Sequence, residues 1–422
     1  MNDIFTQRQA EEIAAFKHGE LRRINIWDGS IRSGKTWITL IIWALWVATL
    51  PVDAPLIMIG KSITSLKRNI LEVLAQLVGE SNFTYSTTAK EAHLFGRRIY
   101  LEGANDARSE SKIRGMTLMG AYCDEVTLMP EDFFTMLLGR LSLPAAQLFG
   151  TTNPDSPKHY LNVKYIARAN ELNMRVSHFL LDDNTTLSPE YVADLKKEYT
   201  GVFRDRFILG LWVVAEGAIY PMFDPKTHVV KTAPHIIRTW VAIDYGHTNA
   251  TVFLLLGEGE DGRVYVLREY YHASGGDGMS IAKSPKGYSN DLKAFLAVKD
   301  GYEKVQFDGV YIDPSAKGFM EQLKEDIPSL RVRKANNAVL RGIQLVSSLM
   351  EADCFRVLEC CKHTVDELQG YIWDAKASAS GTDAPVKKDD HCADSLRYAV
   401  MAEESYWKRR ITHGAITIVA AG

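Results

Sequence analysis

The sequence predicts an α/β protein of two domains, the first built on a parallel sheet and the second on a mixed sheet. Three observations carry this expectation. The string Gly29-Ser30-Ile31-Arg32-Ser33-Gly34-Lys35-Thr36 is a complete G-x-x-x-x-G-K-[ST] pattern, set between a strand-like run (23–27) and a long apolar run from Trp37. A second strand–helix unit (55–77) follows it, which indicates parallel strands side by side. After a stretch rich in proline the order becomes β-β-β-α-β-α, with aspartates at strand ends. At 422 residues the chain also exceeds one ordinary core.

The glycine-rich string has the chemistry of a phosphate loop. In a strand–loop–helix setting, the backbone from Gly29 through Ser33 and Gly34 turns N–H groups inward around phosphate oxygens at a helix N-terminus. Lys35 then reaches the β- and γ-phosphates, and the Thr36 hydroxyl completes the coordination of Mg²⁺. The chain is therefore expected to bind a nucleotide.

Composition narrows the class. The net charge of −3 announces no nucleic-acid binder, so any DNA affinity has to come from local patches. Cysteines 123, 354, 360, 361 and 392 show no C-x-x-C spacing, which points to reduced thiols. The first residues are polar and carry no signal peptide. Residues 37–50 form the one membrane-like run, but it is short of the roughly twenty residues a bilayer needs. Pro51, Asp53 and Pro55 close it, so a buried helix is expected and no membrane partner.

Residues 5–17 read as an amphipathic helix with Thr6 as N-cap and an acidic first turn. Gln9, just ahead of the phosphate loop, is placed as helicase-like motors place a glutamine for the adenine edge, with Gln7 as the fallback. Residues 55–60 read as a buried strand and 63–77 as a helix, whereas 97–101 alternate like an outer strand. The run 118–123 ends in Asp124-Glu125, the second half of a nucleotide hydrolase site. There Asp124 holds Mg²⁺ through water, and Glu125 orients and deprotonates the attacking water. Residues 146–150 form another short strand, followed by Thr151-Thr152-Asn153-Pro154, whose hydroxyls and amide can sense the γ-phosphate.

In order, spacing and surrounding text these motifs resemble the large subunit of a tailed-phage terminase. The matching strings are GSIRSGKT (29–36), KIRG…AYCDE (112–125), GTTNP (150–154), LLDDNTTLSPEYVADL (180–195) and FILGLWVVAEGAIYPMF (207–223). The resemblance implies an additional-strand catalytic ATPase fold, with 150–154 coupling hydrolysis to movement. It also implies that Arg32 contacts phosphate charge and that Arg140 is an arginine finger reaching a neighbouring subunit.

Helical text over 189–199 and a second helical piece lead to Pro221, Pro225 and Pro234. This places a linker at about 221–235, with a motor domain over 1–230 and a second domain over 231–422. In the second domain, 239–243 ends in Asp244, and 250–257 and 263–271 are its antiparallel neighbours. A helix near 290–298, a strand over 309–312 ending in Asp313, and a helix over 318–325 complete a ribonuclease-H-like outline. The last element, 387–398, reads as a helix with an acidic first turn, which puts Asp390, His391 and Asp394 on one face. Hard oxygen ligands with one imidazole and no thiolate pair suit Mg²⁺ or Mn²⁺ rather than zinc. IDYG (243–246), YIDPSAKG (311–318) and DDHCADSLRY (389–398) match the terminase nuclease motifs. The resemblance carries metal-ligand roles onto Asp244, Asp313 and Asp394, with His391 as an accessory; it leaves open whether Asp390 joins them, and Glu269 stays outside the core set.

The expected activity is ATP-driven movement of double-stranded DNA into a procapsid, with two-metal cleavage of concatemeric DNA. A helicase-nuclease of repair is the alternative, but no second RecA-like domain is legible. The family implies a terminase small subunit, the portal of the procapsid and a ring of like subunits as partners, in the cytoplasm of the host cell.

Overall fold

The computed structural model describes residues 5–246, 250–273 and 283–413. Contacts divide the chain into two compact units. The first runs to Ala193 and resumes over Gly201–Val214 and Ala379–Thr382; the second takes Asp194–Thr200, Ala215–Ser378 and the described residues from Asp383. The main crossing thus comes after Val214, about fifteen residues ahead of the boundary read from the prolines. Residues beyond it are already engaged in the second unit: the Ile219 amide bonds the Tyr371 carbonyl at 2.8 Å. Pro225 opens a short helix, Pro225–His228, instead of loosening a linker.

The first unit is an eight-stranded sheet. In chain order its strands are β1 (Ile24–Gly29), β2 (Leu56–Gly60), β3 (Phe83–Ser86), β4 (Glu91–Leu94), β5 (Arg97–Gly103), β6 (Gly120–Cys123), β7 (Gln147–Thr151) and β8 (Met174–Phe179). Their spatial order is β3-β4-β5-β2-β6-β7-β1-β8, parallel from β5 to β8. β7 stands between the phosphate-loop strand β1 and the strand β6 that ends at the acidic pair, as the additional-strand topology requires. β1, β2 and β6 are buried at every position; β2 and β6 accordingly read as apolar runs, whereas β1 buries Asn25 and Asp28 among its apolar residues.

Arg97–Gly103 is not an outer strand as its alternation suggested. It pairs with β2, and the β3–β4 hairpin lies outside it. The hairpin strands are four residues each and half polar, too short for a pattern. The helix Lys35–Ala48 packs Trp43 and Trp46 against Phe149 of β7, at ring separations of 5.2 and 5.1 Å. Among the described residues no helix is long and apolar enough to cross a membrane.

The first helix, Gln7–Lys17, is capped by Thr6 in a full capping box with Gln9, an arrangement worth about 1 kcal/mol. Its first turn holds no acid; Glu11 and Glu12 come a turn later. Glu12 is fully buried, where it accepts from Trp27 Nε1 (2.8 Å) and Arg175 Nη1 (2.6 Å). Removing one partner of so buried a pair costs about 3–5 kcal/mol, so this network fixes the helix to β1 and β8.

The second unit holds seven strands: β9 (Val229–Val230), β10 (Ile236–Asp244), β11 (Thr251–Gly259), β12 (Val264–His272), β13 (Gln306–Ile312), β14 (Val332–Lys334) and β15 (Phe355–Leu358). The order is β14-β13-β10-β11-β12-β15-β9. β10, β11 and β12 form an antiparallel meander, while β13 runs parallel to β10 and β14 parallel to β13. This is the ribonuclease-H-like core, extended by β15 and β9. The helix His391–Met401 is buried along its length and packs on β10, with Ser395 Oγ donating to the Ala242 carbonyl at 2.9 Å. It starts at His391 rather than at 387, and Asp390 is its N-cap residue. The five cysteines are unpaired.

Candidate functional site

In the first unit, backbone geometry builds the phosphate loop. Gly29 sits at φ +128°, and a Cβ there would fall 1.9 Å from the Phe179 carbonyl oxygen. Gly34, at φ +85°, takes the left-handed turn that opens the helix Lys35–Ala48. Lys35 is buried, and its ammonium donates to the Ser30 carbonyl (2.8 Å) and to Asn153 Oδ1 (2.7 Å). Burial brings its pKa down to about 8 against the pull of Asp124, Asp28 and Glu125. A bond from Lys35 to Asn153 therefore joins the phosphate loop to the strand end that follows β7.

A cavity of about 550 Å³ opens over this loop, lined by Arg32 through Thr36, Asp124, Glu125 and Thr151 through Asn153. Asp124 is buried and accepts from Thr151 Oγ1 (3.0 Å) and Asn69 Nδ2 (3.4 Å). Burial raises its pKa, and the pKa of Glu125 rises through burial and then the neighbouring Asp124. Glu125 also holds φ at +54°, a left-handed conformation costing on the order of 1–3 kcal/mol, which aims its side chain into the cleft. The acidic pair, the lysine and the Thr36 side chain thus face one space. That donor set fits a nucleotide with a hard divalent cation.

Arg32, Gln9 and Arg140 are the remaining residues expected in the ATPase chemistry. Arg32 is exposed on the loop, at φ +55°, and its carbonyl accepts from Asn184 Nδ2. Gln9 lies behind the loop: its amide oxygen accepts from the Thr6 N–H (3.1 Å), its nitrogen reaches the Gly34 carbonyl (3.5 Å), and it does not line the cavity. Arg140 does not line it either. Its guanidinium rests on Met136 Sδ at 3.1–3.2 Å, and among the described residues no carboxylate lies within ion-pair distance of it. Sequence reasoning missed Arg68 and Asn69, which enter the cleft from a π-helical turn, Lys67–Leu71. A π-turn inserts a residue and shifts the register, so a 3.6-residue period cannot point to them.

In the second unit, a cavity of about 620 Å³ gathers Asp244, Asp313, Asp390, His391 and Asp394. Asp244 ends β10, and its Oδ2 lies 2.9 Å from His391 Nδ1. Burial raises the Asp244 pKa, and the bond to Asp244 raises that of His391. Asp313 follows β13 and accepts from the Ser315 N–H (2.6 Å) and the Tyr398 hydroxyl (2.8 Å). Those bonds outweigh burial and hold its pKa below the usual range. Asp394 takes Arg397 Nη2 on Oδ1 (2.7 Å) and Lys387 Nζ on Oδ2 (3.1 Å), and Lys387 also reaches Asp390 Oδ2 (3.0 Å).

The donor chemistry fits Mg²⁺ or Mn²⁺. Among the described residues no three of these groups yet converge on a single ion position; a lysine ammonium lies among them instead. Lys387 and Arg397 were visible in the sequence as basic residues spaced three and seven from the acids. Glu269 is accounted for by packing: its carboxylate accepts from the His363 and Thr364 N–H groups and caps the helix Lys362–Gly370.

A phosphate-loop ATPase domain joined to a ribonuclease-H-like nuclease domain defines the class. Residues 26–226 match the family "Terminase large subunit, T4likevirus-type, N-terminal", and residues 242–403 match "Terminase RNaseH-like domain". The large terminase of a thermophilic bacteriophage is 35% identical with a TM-score of 0.84, and the match covers 94% of this chain and 98% of that one. Two further structures of that terminase, in complex with ADP and with ATP-γ-S, are each 34% identical over the same shares, with TM-scores of 0.83 and 0.82. No curated protein sequence matches the chain. The chain belongs to the terminase large-subunit family and combines a DNA-packaging ATPase with a nuclease.

Proposed function

We propose that the two cavities divide the labour of packaging: the phosphate-loop cleft hydrolyses ATP to move double-stranded DNA, and the aspartate cluster cuts it. The bond from Lys35 to Asn153 carries the first half of this reading. It ties the phosphate-binding lysine to the β7 end, so occupancy at the γ-phosphate position has a direct mechanical outlet. The ADP and ATP-γ-S complexes of the thermophilic-phage terminase support ATP as the nucleotide. In this reading Mg²⁺ is held by Thr36 and, through water, by Asp124. Lys35 and Arg32 neutralise phosphate charge, Glu125 takes the proton of the attacking water, and Gln9 serves the adenine end. In the nuclease cavity Asp244, Asp313 and Asp394 hold the divalent ions, Mg²⁺ or Mn²⁺, and His391 orients water or the leaving group.

The chain works as a ring on the portal of a procapsid, receives DNA with a terminase small subunit, and acts in the host cytoplasm. Arg140 completes a neighbour's ATPase site from across the ring. Its lack of a carboxylate partner among the described residues and its place outside its own chain's cleft lining support that role. The test is the ATPase of the full chain with and without procapsids and DNA. Arg140→Ala is expected to bind nucleotide as the wild type does and to lose the stimulated rate; full stimulation in that variant overturns the finger role.

A further inference from the structure

We propose that Lys387 is a built-in competitor for a divalent cation at the nuclease site and sets the metal concentration at which the site loads. The inference rests on the reading of the aspartate cluster as that site. Asp394 carries two cations of different kinds. Arg397 holds Oδ1 from within the fold, with 2% of its side chain exposed, and fixes the carboxylate's orientation. Lys387 holds Oδ2 from outside, with 60% of its side chain exposed, and shares itself with Asp390 Oδ2. Among the described residues these two carboxylates are what its ammonium bonds.

The other metal-ligand candidates have neutral or switchable donors: His391 on Asp244, and Tyr398 and the Ser315 N–H on Asp313. Lys388, the remaining lysine of the cavity lining, sits nearest Asp389 instead (3.9 Å). The oxygen that a metal needs on Asp394 is therefore the one the ammonium occupies.

Charge and size decide who wins. An ammonium sits about 3 Å from its acceptors, whereas Mg²⁺ binds carboxylate oxygens at about 2.1 Å with twice the charge. The two compete for Asp394 Oδ2, because a unit charge about 4 Å from a divalent ion is repelled even at high effective dielectric. Loading thus displaces Lys387, and its exposed stem gives it solvent to move into. Until then the acidic cluster is partly neutralised by its own chain, and the wild type needs more metal to load than the carboxylates alone would require.

The test is calorimetric titration of the nucleotide-free full chain with Mn²⁺ alone. Lys387→Gln is expected to bind Mn²⁺ about tenfold or more tightly than wild type, from the loss of one unit charge facing the ion. Lys387→Arg, which keeps the charge, is expected to stay near wild type. Equal or weaker Mn²⁺ binding by Lys387→Gln overturns the inference. Asp394→Asn separates the two levels of the argument. If it loses Mn²⁺ binding while Lys387→Gln matches wild type, the nuclease reading stands and the role of Lys387 falls. If Asp394→Asn binds Mn²⁺ as wild type does, the metal cluster itself is misplaced and the inference falls with it.

Discussion

Glu125→Ala is expected to bind ATP and to hydrolyse it at least about a hundredfold more slowly, the scale of a lost general base. The residue stands two positions beyond β6, just after the buried Asp124, and its strained left-handed backbone places it in the lining of the cleft over the phosphate loop. Its pKa is raised by burial and by Asp124, which moves the carboxylate towards the range where a base is effective at neutral pH. Removal leaves the loop, Lys35 and Thr36 in place, so nucleotide binding persists and only the chemistry suffers. Turnover at the wild-type rate in Glu125→Ala, measured by phosphate release, removes Glu125 from the reaction.

Asp313→Ala is expected to lose plasmid cleavage by orders of magnitude in Mg²⁺ or Mn²⁺, because an under-coordinated ion no longer activates water. Its ATPase is expected to match wild type, and pre-cut linear DNA should still be packaged. The reason is organisational. Asp313 follows β13 in the second unit, whereas the nucleotide cleft is lined entirely by residues of the first. His391→Ala is expected to be milder than Asp313→Ala, since the imidazole bonds Asp244 rather than contributing a charged ligand. Plasmid cleavage by Asp313→Ala at the wild-type rate places the metals elsewhere.

What could be read from the chain depended on whether the signal was local. The phosphate loop was legible because its chemistry dictates residue types at fixed spacing, and the structure shows why: Gly29 has no room for a Cβ. The strand ends at Asp124, Asp244 and Asp313 were legible because buried strands read as apolar runs that stop at a charge. The β3–β4 hairpin was not, since four-residue, half-polar strands leave no period to detect. Asn69 reaches Asp124 from a π-turn whose register no helical period reveals. β15 and β9 are set by tertiary pairing to β12 and to each other, which local text does not encode. Arg140 is the opposite case: its role was implied by resemblance alone, and its side chain lies away from the cleft of its own chain.

The central claim is that one chain holds two chemically independent sites. Its most direct test measures ATP hydrolysis and plasmid cleavage side by side in Lys35→Ala and Asp394→Ala, each as the full chain. The Lys35 ammonium is buried in the phosphate loop, and Asp394 lies in the aspartate cavity of the other unit. Lys35→Ala is expected to abolish ATP turnover and still nick plasmid in Mn²⁺, while Asp394→Ala is expected to keep its ATPase and fail to cut. Loss of both activities in either variant, with the fold intact by circular dichroism, contradicts the claim.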